Sequence, residues 1–225
     1  MDYAQLVSTL QERLAPLARA EEEFEFQSEI YPGMTPAAID AVEAAIAAEE
    51  GMAGFRVSAE LRRFYAAANG LYIHWVDRHG RETIETSETS AVSYPIGGLA
   101  KIPYLPELYE PDEPDEPDEP RARAVYDRYK LFDRADSRDR VSLRFERGQP
   151  EPQLYFFERN TGVSYPLALD IPTYLELLLE ARGLIWWQQF FVADPSFRMD
   201  PIKADIFQRA LRRLFPDADA ARFRR

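Results

Sequence analysis

The groups able to do chemistry in this chain are abundant in one class and scarce in the others. Asp and Glu number 39 against 27 Lys and Arg, a formal net charge of −12. At that density two carboxylates fall close together by chance, so acid and base pairs of the glycosidase kind carry no signal. Histidine is limited to His74 and His79, and cysteine is absent. A hydrolytic zinc centre needs about three protein ligands in tight geometry, and these two histidines lie outside any His-Glu-x-x-His helix. Their surroundings place His74 on a strand beside Trp75, and His79 in a hairpin turn from Asp77 to Gly80. Asp133, Asp136 and Asp139 raise the question of calcium. An EF-hand loop takes its ligands at alternate positions, with a glycine and a distant glutamate. Here Arg134, Arg138 and Arg140 interleave instead, and the segment reads as a solvated turn. There is no Gly-x-Ser-x-Gly elbow, and Gly97-Gly98 stands alone rather than in a phosphate-binding loop. Catalysis has no visible carrier: the chain reads as a non-enzyme with no cofactor and no metal.

Charge and composition narrow the partners. An excess of acid argues against phosphate backbones and anionic membrane surfaces. Without cysteine nothing requires an oxidising compartment. The start, Met1-Asp2 followed by Glu21-Glu22-Glu23, lacks the basic and apolar segments of a secretion signal. The most apolar stretch, Leu184 to Ala193, is broken by Gln188-Gln189 and is too short to span a bilayer. These features predict a cytoplasmic protein that binds neither nucleic acid nor membrane.

The elements that must position any site follow from periodicity. Tyr3, Val7, Leu10, Leu14 and Leu17 make one apolar helical stripe, and Phe24, Phe26 and Ile30 alternate with glutamates as a strand does. After the Pro32-Gly33 turn, Thr35 caps and Pro36 opens a helix carrying Ile39, Val42 and Ile46. Ser58 caps a helix with Leu61, Phe64 and Tyr65, which Asn69-Gly70 is expected to end in a left-handed turn. From Leu71 to Val76 the period is two. Leu71, Ile73 and Trp75 take one side, with Tyr72, His74 and Val76 on the other. Strands through Val141 to Phe145 and Leu154 to Phe157 are joined by Gly148-Gln149-Pro150, a hairpin connection, and Asn160-Thr161-Gly162 turns the chain again. Asp170 caps a helix bearing Tyr174, Leu175, Leu178 and Leu179 that Gly183 ends, with Trp187 beyond; a last helix runs from Pro201 to Leu214. The predicted class is α+β, an antiparallel sheet flanked by helices with extra helices at both ends.

Two features exceed the needs of a simple core. Tyr72, Tyr155 and Phe157 lie opposite the expected core set of Ile73, Trp75, Leu154 and Phe156. They form either an aromatic interaction surface or a face covered by the terminal helices, and the helices' unpartnered stripes favour the covered arrangement. The second feature is the repeat that carries Asp112, Glu113, Asp115, Glu116, Asp118 and Glu119 between prolines, within an acidic insert at 107–120. It reads as extended, solvated chain.

Four segments in order resemble the SUKH superfamily, which includes fungal cell-wall-synthesis regulators and many bacterial immunity proteins. They are Tyr31-Pro32-Gly33-Met34-Thr35-Pro36 leading into Ile39 to Glu43, then Leu61 to Phe64 followed by Asn69-Gly70, the strands through Phe157, and Tyr174 to Leu179 followed by Gly183 and Trp187. The likeness covers about residues 28–192 and leaves the leading helix, the insert and a helical extension at 194–225 as additions. It implies a single SUKH-like domain, with Gly33, Glu43, Asn69, Gly70, Trp75, Gly183 and Trp187 in structural roles. It also implies a protein partner and no catalysis. Among the 27 basic residues only Lys101, Lys130 and Lys203 are lysine, a usage typical of GC-rich bacterial genomes. That favours an immunity protein neutralising a toxin domain over an intracellular scaffold or regulator binding endogenous partners.

Overall fold

Each helix begins where its capping side chain dictates, in a computed structural model that describes residues 1–48, 55–87, 90–109, 129–135, 139–145, 151–159 and 161–224. The Asp2 carboxylate accepts the Gln5 N–H at 3.1 Å and opens α1 (Tyr3–Arg19). Thr35 opens α2 (Pro36–Ala47), and Ser58 opens α3 (Ala59–Ala67). Asp170 opens α5 (Ile171–Ala181), and Asp200 opens α6 (Pro201–Leu214). Each of these side chains takes an orphan backbone N–H of the first turn. A short α4 (Leu105–Tyr109) follows the first sheet, and Trp187–Phe191 form a 3-10 turn beyond α5. In α1 the buried stripe is Tyr3, Leu6, Leu10, Leu14 and Leu17, with Leu6 in the place expected of Val7. Both positions flank the stripe on a 3.6-residue period, and the neighbouring helix decides between them.

The strands divide into two antiparallel sheets where the sequence suggests one. β1 (Phe24–Pro32), β2 (Ala68–Ser87) and β3 (Ser90–Ile102) form the first; β4 (Tyr129–Arg134), β5 (Arg140–Arg144), β6 (Gln153–Glu158) and β7 (Val163–Pro166) form the second. β3 escapes a periodicity search because Ser93, Pro95, Gly97 and Gly98 interrupt its apolar alternation. The residues from Asp77 to Gly80 are not a hairpin turn. They are a bulge: Val76 pairs with Gly97 and Arg81 resumes opposite Pro95. The Asp77 carboxylate accepts the N–H groups of His79 and Gly80 at 3.0 and 2.7 Å and closes the extra loop on itself. Gly148-Gln149-Pro150 and Asn160 lie outside the described residues. β5 and β6 nonetheless pair antiparallel, and Gly162 has the positive φ of a turn.

Gly70 has a φ of +93°, as a left-handed residue would, but it does not cap α3. The helix ends in extended Ala68, and Gly70 already belongs to β2. A side chain there would strike the Ile102 and Pro103 carbonyls, 2.7 and 2.9 Å away. Gly33 is required for a similar reason, since a Cβ would strike the Ala66 carbonyl of α3. The left-handed close of α5 starts one residue before Gly183, at Arg182, with φ +49°.

One hydrophobic cluster runs from Tyr3 to Phe223 and takes in the stripes of both terminal helices. Trp75 and Trp187 are fully buried within it. The Trp75 indole donates to the Arg182 carbonyl at 2.7 Å, meets Phe215 edge-on at 5.4 Å and lies against Gly98. Only a glycine leaves room for that indole. Trp75→Ala and Trp187→Ala are each expected to destabilise the chain by about 3–5 kcal/mol. Gly98→Ala, which adds one methyl against the indole, is expected to cost about 1–3 kcal/mol. Urea unfolding followed by tryptophan emission measures all three, and wild-type midpoints would refute the placement.

Candidate protein-binding face

α5 lies behind both sheets. Its following carbonyl, that of Arg182, holds Trp75 of β2, and its Tyr174 hydroxyl reaches Asp133 of β4. The opposite faces of the two sheets therefore look the same way. On the first sheet that outward face carries Glu25, Gln27 and Glu29 from β1, in register with Val76, His74 and Tyr72 of β2. Tyr72 is half-buried and stacks on His74, their centroids 6.5 Å apart. On the second sheet it carries Arg140, Ser142 and Arg144 opposite Phe157, Tyr155 and Gln153. The Arg140 guanidinium sits 4.5 Å from the Phe157 ring. Arg144 lies 5.7 Å from the Tyr155 ring and 5.9 Å from Tyr129, and donates to the Tyr155 hydroxyl at 3.3 Å.

None of Tyr72, Tyr155 and Phe157 belongs to the core cluster, whereas the stripes of α1 and α6 do. The expectation that the terminal helices cover these aromatics is thus corrected. α1 sets Tyr3 against Phe64 of α3, and α6 sets Phe207 against Phe190 and Phe223. Tyr155 is still only 9% exposed, with Tyr129 edge-on at 5.1 Å. Tyr72, on β2, stands apart from Tyr155 and Phe157 of β6 across β3, β4 and β5. The acidic residues Asp112, Glu113, Asp115, Glu116, Asp118 and Glu119 lie outside the described residues.

Sequence reasoning passed over Arg140, Arg144 and Tyr129, although alternation with buried Val141 and Leu143 was there to be read. It also misplaced Asp133. That residue is fully buried, and Asp139 is 9% exposed with its carboxylate on the Arg159 N–H, so neither of these two stands in solvent. Asp136 lies outside the described residues. Asp133 accepts the Lys101 N–H of β3 at 2.8 Å and the Tyr174 hydroxyl at 2.6 Å. Burial pushes its carboxyl up to about 7, against the pull of those two donors. Burial and the facing carboxylate push the Tyr174 hydroxyl well above its usual range.

Two other carboxylates are held the opposite way. At Glu43, burial alone would raise the pKa, but Arg62 at 2.7 Å, the Val57 N–H at 2.8 Å and Arg56 outweigh it and keep it low. Asp77 is similar: burial is outweighed by Arg213 of α6 at 2.7 Å and by its two loop N–H groups. Glu43 therefore ties α2 to α3, and Asp77 ties the β2 bulge to the last helix. Asn69 caps α4 from a distance, its side-chain oxygen accepting the Leu105 N–H at 3.0 Å. A shallow, open depression of about 490 Å³ at the start of α1 is lined by Met1, Asp2, Tyr3, Ala4 and three residues of α3, and offers no nucleophile with a base. Among the described residues no three of His, Cys, Asp or Glu group as metal ligands, and no helix is long and apolar enough to cross a membrane.

A carboxyl with a folded pKa of about 7 and an unfolded one near 3.9 takes up a proton on folding between those values. Its contribution to stability therefore falls as pH rises from about 4 to about 7 and is flat above. At about 1.4 kcal/mol per unit the fall is on the order of 2–4 kcal/mol. Glu43 and Asp77 act in a separate window, losing their contribution as pH drops below the ordinary carboxylate range. Asp133→Asn keeps an acceptor for Lys101 and removes the charge, so its unfolding free energy should lose the fall between pH 4.5 and 7.5. Denaturant titrations of both proteins across that range decide it, and parallel curves would refute the assignment. Comparison of the chain with protein families, with curated proteins and with solved structures returns no match.

Proposed function

We propose that this chain acts by binding another protein across the outward face of its two sheets, as an immunity protein covering a toxin domain does. One observation carries the reading. Tyr72 and Phe157 stay half-buried and outside the core cluster although both terminal helices had apolar stripes to spend on them, and Tyr155 is buried outside that cluster. Tyrosine and arginine are the residues on which interface energy concentrates, and Arg140 and Arg144 lie among these rings. The buried carboxylates whose acidity is displaced, Asp133 upward by burial and Glu43 and Asp77 downward by their arginine and N–H partners, serve as ties between elements, which leaves them to stability rather than to a substrate. The SUKH likeness and the arginine-heavy composition support the same role.

Charge would govern the encounter. Glu107 to Glu119 contains eight acidic residues and no basic one. Attraction of this kind raises association rates for a basic partner and is screened beyond about 8 Å at physiological salt. Packing on the aromatic face would set the lifetime.

The test is co-expression with a toxin domain encoded by a neighbouring gene, followed by binding measurements. Tyr72→Ala and Phe157→Ala should each weaken the complex about tenfold to a hundredfold, mostly through faster dissociation, with little change in melting. Replacing the eight insert carboxylates by serine should slow association and flatten its salt dependence. Unchanged dissociation in both aromatic variants would overturn the use of this face.

A further inference from the structure

Two antiparallel sheets have four outer strands, and at three of their outer edges other described residues make hydrogen bonds. The edge of β3 is closed twice. Leu99 N–H donates to the Gly183 carbonyl at 2.8 Å and Ile185 N–H to Gly97 at 3.1 Å, while the Lys101 N–H is taken by Asp133. β4 faces that same edge through the Asp133 side chain. β7 is four residues long, and Ala193 N–H donates to its Pro166 carbonyl at 2.8 Å.

β1 is different. It is nine residues long and carries no lysine, arginine or internal proline, the usual devices that blunt an edge. Phe24 donates its N–H away from β2, to the Ala20 carbonyl at 2.9 Å, whereas the Glu23 carbonyl accepts Arg78 of β2 at 2.9 Å. With a strand period of two, the N–H and C=O groups of Phe26, Ser28 and Ile30 also point away from β2. None of them meets a partner among the described residues. The surroundings carry one sign of charge. Glu21, Glu22, Glu23, Glu25 and Glu29 are all exposed, and no basic residue occurs between Ala20 and Pro32.

We propose that the edge of β1 is a docking site for an extended, basic segment of a protein partner, which adds to the first sheet as a fourth strand. The inference rests on the protein-binding reading and gives it a second contact. Backbone groups at Phe26, Ser28 and Ile30 supply the ladder. Side chains of the added strand alternate. Those beside Glu25 and Glu29 on the outward face are basic, because opposite charges on neighbouring strands attract and like charges repel. Those beside Phe26 and Ile30 face the core side and are apolar.

The probe is a capped seven-residue peptide alternating lysine and valine, with a glutamate–valine peptide as its control. Titrated into 15N-labelled protein at low salt, the lysine peptide should shift the Phe26, Ser28 and Ile30 amides and slow their hydrogen exchange. The glutamate peptide should not. Ser28→Pro removes an N–H from the free edge without touching the β2 ladder, and should weaken binding at least tenfold. Should that variant unfold, Glu25→Lys with Glu29→Lys carries the same expectation through charge alone. The proposal falls if the shifts spread over Tyr72 and Phe157 instead, if both peptides bind alike, or if sedimentation shows that the edge is filled by a second copy of the chain. The two readings separate on a true partner. Binding that survives Ser28→Pro but not Tyr72→Ala removes the edge and keeps the face, whereas binding indifferent to every variant removes both.

Discussion

A single buried carboxylate holds the two sheets in one frame. Asp133 stands on β4, takes a backbone N–H from β3 and a hydroxyl from α5, and is wholly out of water. Between β3 and β4 it does what a carbonyl does within a ladder, at a point where no ladder forms. A charge in that position is unfavourable unless its oxygens are occupied, since leaving a buried polar group unpaired costs about 1–3 kcal/mol and more if it is charged. Both oxygens have donors, so the joint is tolerated. The residual penalty shows in an acidity far weaker than that of an ordinary aspartate.

The rest of the packing follows from that joint. With the sheets side by side and α5 behind them, the chain after α5 runs along β3, and Gly183 to Ile185 pair with Gly97 to Leu99. Trp75 fits because Gly98 gives it room and the end of α5 gives its indole an acceptor. Arg182 and Trp186 adopt positive φ in this stretch, conformations unfavourable for residues with side chains. Arg182 is compensated by an ion pair with Asp217 and by Phe215, 4.4 Å from its guanidinium. The terminal helices are thereby committed to the α5 side, and Tyr72 and Phe157 stay outside the core cluster.

Electrostatics divide the molecule by function. The buried carboxylates tie elements together: Glu43 joins two helices, Asp77 joins a bulge to the last helix, and Asp133 joins the sheets. The exposed ones carry the net negative charge, and on the first sheet they line a strand whose backbone is still able to pair. Arginines occupy the other end of the same outward surface, over aromatic rings. A surface that is acidic at one edge and arginine-rich at the other would orient a partner as well as attract it.

What the residues determined alone is local. Thr35, Ser58 and Asp170 cap their helices because a short side-chain oxygen before an apolar repeat takes an orphan N–H wherever the helix docks. The alternation of Leu71, Ile73 and Trp75 was equally legible, since one buried sheet face demands period two. Matters settled between distant segments were not legible. Gly70 has the conformation its type allows, yet its site in β2 rather than at the helix end is set by the Ile102 and Pro103 carbonyls. Asp77 to Gly80 has the composition of a turn, and pairing on both sides of it made it a bulge. Asp133 sits in a polar, arginine-rich stretch that any local rule places in water. Only the approach of Lys101 and Tyr174, from elements far apart in the chain, supplies the two donors that let it be buried. The helical stripes announced that they would be covered but not by what, because hydrophobic attraction has no direction, and tertiary packing decided which face of the sheets the helices took.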